Sequence, residues 1–228
     1  MIRMGVLLAA GGLVLALVGC GGDTSSLGPS DIALEETFEP LPGDIAPGAP
    51  SLDGPFTITT FRPPEDTYIN QGAPATNYGA DSRLRTGNYP AGNAKRSLMR
   101  FNLTQIPTTA TVNNARLRLY VIQAYQGTDR VRVHRVTSAW TELGTTWATA
   151  PMFAAGAVDT ESISPTMVGT WIEWTVTGLV QSWVDTPGRN FGCLLRGIEG
   201  TAMVGDAFAS GENPTTAHRP RLVVTYAP

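Results

Sequence analysis

The chain has 228 residues, with 16 Lys and Arg against 19 Asp and Glu, and two cysteines. That length supports one domain with a real core but not two large ones, and two cysteines cannot build a disulfide framework. A net charge of −3 lies far from the basic balance of a nucleic-acid binder.

Residues 1–19 carry one charge, Arg3, then an apolar run from Gly5 to Ala16, then Leu17-Val18-Gly19 before Cys20. This is the layout of a secretory signal peptide, too short for a transmembrane helix of about 20 apolar residues. The closing tetrapeptide resembles the bacterial lipobox. It implies acylation at Cys20 and a lipoprotein anchored in the cell envelope, at the outer membrane or cell surface. Each buried acyl methylene would contribute about 0.8 kcal/mol to that anchor.

Residues 20–55 are rich in Gly, Pro and Ser and hold seven acids without a single Lys or Arg. Such a segment buries too little apolar surface to offset the entropy of ordering, so it reads as a disordered acidic tether. Of the 16 bases all but Arg3 lie beyond it, against 12 of the 19 acids, so the domain at 56–228 is slightly basic.

From Phe56 the pattern becomes short alternating runs between turn signals, which predicts strands. They cover 56–61, 66–70, 83–86, 96–103, 115–122, 130–136, 171–176, 191–196, 206–210 and 220–226. One helix is expected after Thr177, which can cap it. Leu179, Val180, Trp183 and Val184 then form one apolar stripe before Pro187-Gly188. Many short strands and a single short crossover helix give an all-β fold, a jelly-roll β-sandwich. Cys193, in Phe191-Gly192-Cys193-Leu194-Leu195, reads as a core thiol.

Several segments in order resemble the DNRLRE domain family, also described as carbohydrate-binding module family 96. They include Asp66-Thr67-Tyr68-Ile69, Asn77-Tyr78-Gly79, Asp81-Ser82-Arg83-Leu84-Arg85-Thr86, and Arg96 to Leu103. Val133-His134-Arg135-Val136, Trp140-Thr141-Glu142, Ser210-Gly211-Glu212 and Arg219-Pro220-Arg221-Leu222 follow. Ser82 and Thr86 depart from the naming motif. The resemblance implies a jelly roll and an extracellular, carbohydrate-binding role. It extends less directly to acidic polysaccharides such as alginate.

Candidate site residues come from alternation. Arg83, Arg85, Arg116, Arg118, Arg130 and Arg132 all point away from the core face of their strands. If those strands are neighbours, one sheet carries an arginine patch that suits uronate or sulfated sugars, because guanidinium forks match carboxylates. The alternative is an ordinary solvated sheet surface. Tyr78, with Tyr68 and Tyr89, offers aromatic sugar contacts. Trp174 and Trp183 fit the core, and Trp140 and Trp147 read as structural. Asp66, Asp81, Asp206 and Glu212 are candidate ligands for a structural Ca²⁺.

Catalysis has little to stand on. There are two histidines, His134 and His218, and no nucleophile elbow or zinc motif. The expectation is a non-catalytic cell-surface module that binds polysaccharide, with acidic polysaccharide as the candidate ligand and the membrane as its second partner through the lipid. The alternatives are a structural or adhesive envelope lipoprotein and, further off, a polysaccharide lyase or hydrolase.

Overall fold

The computed structural model describes residues 56–90, 92–200 and 203–228. The signal peptide, Cys20 and the acidic tether lie outside the described residues. Among the described residues eleven strands follow one another: β1 Thr57–Phe61, β2 Glu65–Asn70, β3 Arg83–Gly87, β4 Lys95–Arg100, β5 Thr111–Ala124 and β6 Asp129–Val136. Then come β7 Phe153–Ile163, β8 Trp171–Thr175, β9 Cys193–Arg196, β10 Gly205–Ala209 and β11 Arg221–Ala227. One helix, α1 Thr177–Asp185, sits between β8 and β9. The fold is an all-β sandwich in which every pairing is antiparallel.

One layer runs β8–β5–β11–β1 and the other runs β7–β6–β9–β4–β2. The two are one curled surface, because β10 and β3 carry the hydrogen bonding on from β5 to β4, where Gly87 pairs Lys95. The first part of β5 pairs β11 and β8, while Val121, Gln123 and Ala124 pair β10, which in turn pairs β3. Fourteen residues is long for a strand, and its alternation of buried and half-exposed residues continues through Ile122.

The core fills the space between the layers. Leu117, Leu119, Trp174 and Val224 meet Met99, Val131, Val133 and Leu195, all nearly or fully buried. Trp174 donates its indole N–H to the Val131 carbonyl at 3.0 Å, so its one polar atom is satisfied inside the core. Leu179, Val180, Trp183 and Val184 of α1 join the same core, as their spacing predicts. Cys193 is buried there, and burial pushes its thiol up to about 12.

Two expectations need correction. Thr177 does not cap α1; the N-cap is Val176, and the Thr177 hydroxyl accepts the Ala115 N–H at 3.0 Å instead, tying the helix to β5. Also, β7 was not expected. Its Phe153-Ala-Ala-Gly-Ala-Val run lacks alternation, and as an edge strand its ladder pairs β6, while Asp159 accepts the Thr175 N–H of β8 at 2.6 Å.

The outer side of the second layer carries a smaller apolar cluster. Ile69, Leu98, Val136, Trp140 and Leu194 pack there, flanked by Trp147, Phe153 and Phe191. The segment between β6 and β7 lays Trp140 over it, with the indole N–H on the Phe191 carbonyl at 2.7 Å. His134 points outward as expected, yet is 3 % exposed because Phe153 covers it.

Candidate functional site

The six arginines do not form one patch. Arg116 and Arg118 lie on the first layer, opposite Thr175 and Glu173 of β8. Arg130 and Arg132 lie on the second layer, between β7 and β9. Both pairs face away from the shared core, so they stand on opposite sides of the molecule. Alternation fixes which side of its own sheet a residue faces. It says nothing about which sheet the strand joins, and that is where the expectation fails.

Most of these arginines have company. Arg118 pairs with Glu173 at 2.6 Å and lies over Trp171 at 5.3 Å, with Arg221 over the same ring at 4.8 Å. The Arg116 guanidinium donates to the Thr175 hydroxyl. On the second layer Arg132 stands in register with Arg196, and Arg196 with Arg96. Glu199 binds Arg96 at 2.6 Å and Arg196 at 2.7 Å. Burial alone would raise the Glu199 carboxyl, but those two guanidinium groups outweigh it and hold it low. Arg96 also covers Trp147 at 4.6 Å.

A different grouping forms around Arg85. Its guanidinium lies 5.6 Å from the Tyr68 ring centre, and Tyr68 stacks on Tyr78 at 4.2 Å. The Tyr68 hydroxyl donates to Asp81 Oδ2 at 3.4 Å, and Asn70 donates to the Tyr78 hydroxyl at 3.3 Å. Burial, then the Asp81 charge, raises the Tyr68 phenol well above its usual range. Arg83, exposed, follows Asp81, whose Oδ1 accepts the Arg83 backbone N–H at 3.0 Å.

Lys95 belongs to the same surface. Its ammonium donates to the carbonyls of Tyr89 at 2.6 Å and Asn93 at 3.1 Å. Burial and the neighbouring Arg85 charge lower its proton affinity. Tyr89 then stacks on Tyr125 at 3.6 Å beside a cleft of about 440 Å³. So a stacked tyrosine pair stands at each end and two cations stand between them. Among the described residues neither Arg85 nor Lys95 forms an ion pair with a carboxylate. Arg85 Nε is buried without a hydrogen-bond partner. Tyr78, Arg83 and Arg85 were legible as candidates; Lys95, Asn70 and Tyr125 were not.

The candidate cation ligands also separate. Asp66 and Glu212 come together with Glu142, their oxygens all within 4.8 Å of one another. Asp81 is not in this group, because its carboxylate is turned to Tyr68 and the Arg83 N–H. Asp206 is not in it either. It faces Asp129 inside the fold, where both are at most 3 % exposed. Burial, then the Asp129 charge, pushes Asp206 up to about 8; burial also raises Asp129, against hydrogen bonds from the Ile198 and Arg130 N–H groups. A side chain at Gly87 or Gly197 would collide with Asp129 Oδ2, and Gly87 also has φ +84°, so both positions need glycine.

A cleft of about 620 Å³ lies between α1 and the Phe101–Thr108 segment, with Trp183, Ile106 and Leu103 on its walls and the Arg100–Glu65 pair at its rim. Its cation, Arg100, is paired with Glu65, unlike Arg85.

No curated protein matches this chain. The family model for carbohydrate-binding module family 96 matches residues 57–226, from the first strand to the last. A match over that whole span, on an antiparallel sandwich with aromatic and cationic side chains grouped on its surface, shows that the chain belongs to carbohydrate-binding module family 96.

Proposed function

We propose that the domain is a non-catalytic module that binds acidic polysaccharide along the surface from Tyr78 through Arg85 and Lys95 to Tyr89 and Tyr125. The observation that carries this reading is the placement of Arg85 and Lys95. Two half-buried like charges stand side by side, among the described residues, with no carboxylate paired to either. Such a pair is electrostatically unfavourable until an anion arrives. A uronate carboxylate supplies that anion, and the tyrosine faces supply the flat surface a sugar ring needs. In the same reading the signal peptide and acylated Cys20 place the module on the cell envelope, with residues 20–55 as its spacer.

Affinity electrophoresis through gels holding alginate, pectate, chondroitin or a neutral glucan tests this. Retardation should occur in acidic gels, weaken with salt and be absent in the neutral one. Arg85→Ala should weaken it roughly 10–100-fold, the loss of one hydrogen bond to a charged group. Equal mobility in every gel would remove the reading and leave a structural or adhesive role in the envelope.

A further inference from the structure

Asp66, Glu142 and Glu212 come from β2, from the segment between β6 and β7, and from the turn after β10. Two of the three carboxylates are held by backbone N–H groups. Asp66 Oδ2 accepts the Gly211 N–H at 2.7 Å, and Glu142 Oε1 accepts the Asp66 N–H at 2.9 Å. None of the three pairs with Lys, Arg or His among the described residues. The Asp66 side chain is 2 % exposed, and its other oxygen, Oδ1, is buried without a hydrogen-bond partner. A carboxylate oxygen fixed in that state, facing two more carboxylates, lacks a positive partner.

We propose that Asp66, Glu142 and Glu212 bind one divalent cation of the calcium class. The donors are all oxygen, with no imidazole or thiol, which suits a hard cation. Two ligands on opposite sides of an ion at about 2.4 Å are about 4.8 Å apart, and the three oxygens lie within 4.8 Å of one another. Glu212 is exposed, so the site opens to solvent on one side and ions and waters can enter.

The site also sits under the proposed glycan surface. Glu142 offers its carbonyl to the Asn77 amide at 2.7 Å, next to Tyr78. Ser210, two residues before Glu212, donates its hydroxyl to the Asp81 carbonyl at 2.7 Å. Asp66 is two residues from Tyr68 on β2. The cation therefore clamps the three segments that hold the Tyr68–Tyr78–Asp81 group, a consequence that rests on the proposed function.

Calcium titration of the chelator-treated full chain, by calorimetry and by thermal melting without any glycan, tests the site itself. One ion per chain should bind, and the melting midpoint should rise roughly 5–10 °C at about 100 times Kd. Asp66→Asn and Glu212→Gln should each abolish the response. The second change is at an exposed residue, so its fold survives even if the first does not. An absent heat with an unchanged melt, or a full response in both variants, overturns the proposal; a shared proton between Asp66 and Glu212 would give that result. Glycan retention that survives with calcium bound but fails with chelator supports the clamp. Retention equal in both conditions overturns the clamp and leaves the site standing.

Discussion

Two groups of carboxyls inside this sandwich meet the same physical problem and are built differently. Burial, aided by neighbouring acids, pushes both Asp66 and Asp206 up to about 8. The Asp129–Asp206 pair is closed in, with glycines pressed against it and no exposed member. The Asp66 group has a third carboxylate and an exposed edge. Proton affinity alone would rank them together. The number of oxygens and their access to solvent set them apart: two sealed carboxyls suit a shared proton, whereas three with one edge open to solvent suit a cation.

The sharpest way to break this comparison exchanges the roles. Asp206→Asn should keep the whole calcium-induced rise in melting midpoint, roughly 5–10 °C, that Asp66→Asn loses. Equal loss in both variants would mean that the two groups act as one network.

The next effect is on pH. The unfolded Asp206 carboxyl releases its proton near its ordinary 3.8, and the folded one near 8. Between those values the native state binds more protons, so stability falls as pH rises through that window. Arg132 and the Ile198 N–H oppose the rise at Asp129 without removing it. Asp206→Asn should therefore melt with a visibly flatter profile between pH 5 and 9 than the wild type in the same chelator. Parallel profiles would show that the pair holds no extra proton.

A smaller effect concerns Thr86, which is opposite Asp206 in register and whose buried hydroxyl has no partner. Thr86→Val should be neutral or stabilising by up to about 1 kcal/mol, measured by denaturant unfolding. A loss above about 2 kcal/mol would mean that the hydroxyl is a working third oxygen and that the sealed pair resembles the open group after all. The smallest expected signal is chemical. Cys193, buried with its thiol at about 12, should resist thiol reagents in the native state with or without calcium.

The strands were readable where one face is buried, as in Ala115–Val121 and Arg130–Val136. The helix was readable from four apolar residues. What the sequence withheld is non-local. Asp129 and Asp206 are remote in the chain, and nothing in either segment announces the other. Glu142 lies in a turn between strands, and only the fold brings its carboxylate beside Asp66 and Glu212. The arginines were correctly turned outward and wrongly gathered, since the sheet each strand joins depends on partners elsewhere in the chain. Nothing in the sequence singles out Lys95, because a lone lysine beside a turn looks like solvent-facing charge until the fold sets Arg85 against it.

The long strand β5 has a mechanical consequence. It pairs with β8 and β11 at one end and β10 at the other, and β10 leads through β3 to β4, so a pull applied to either layer passes to the other through an unbroken series of hydrogen-bonded strands. A module gripped on its outer surface by a polymer and held from its leading end would share the load across the curled surface. It should give way in one event, without shedding one layer and keeping the other.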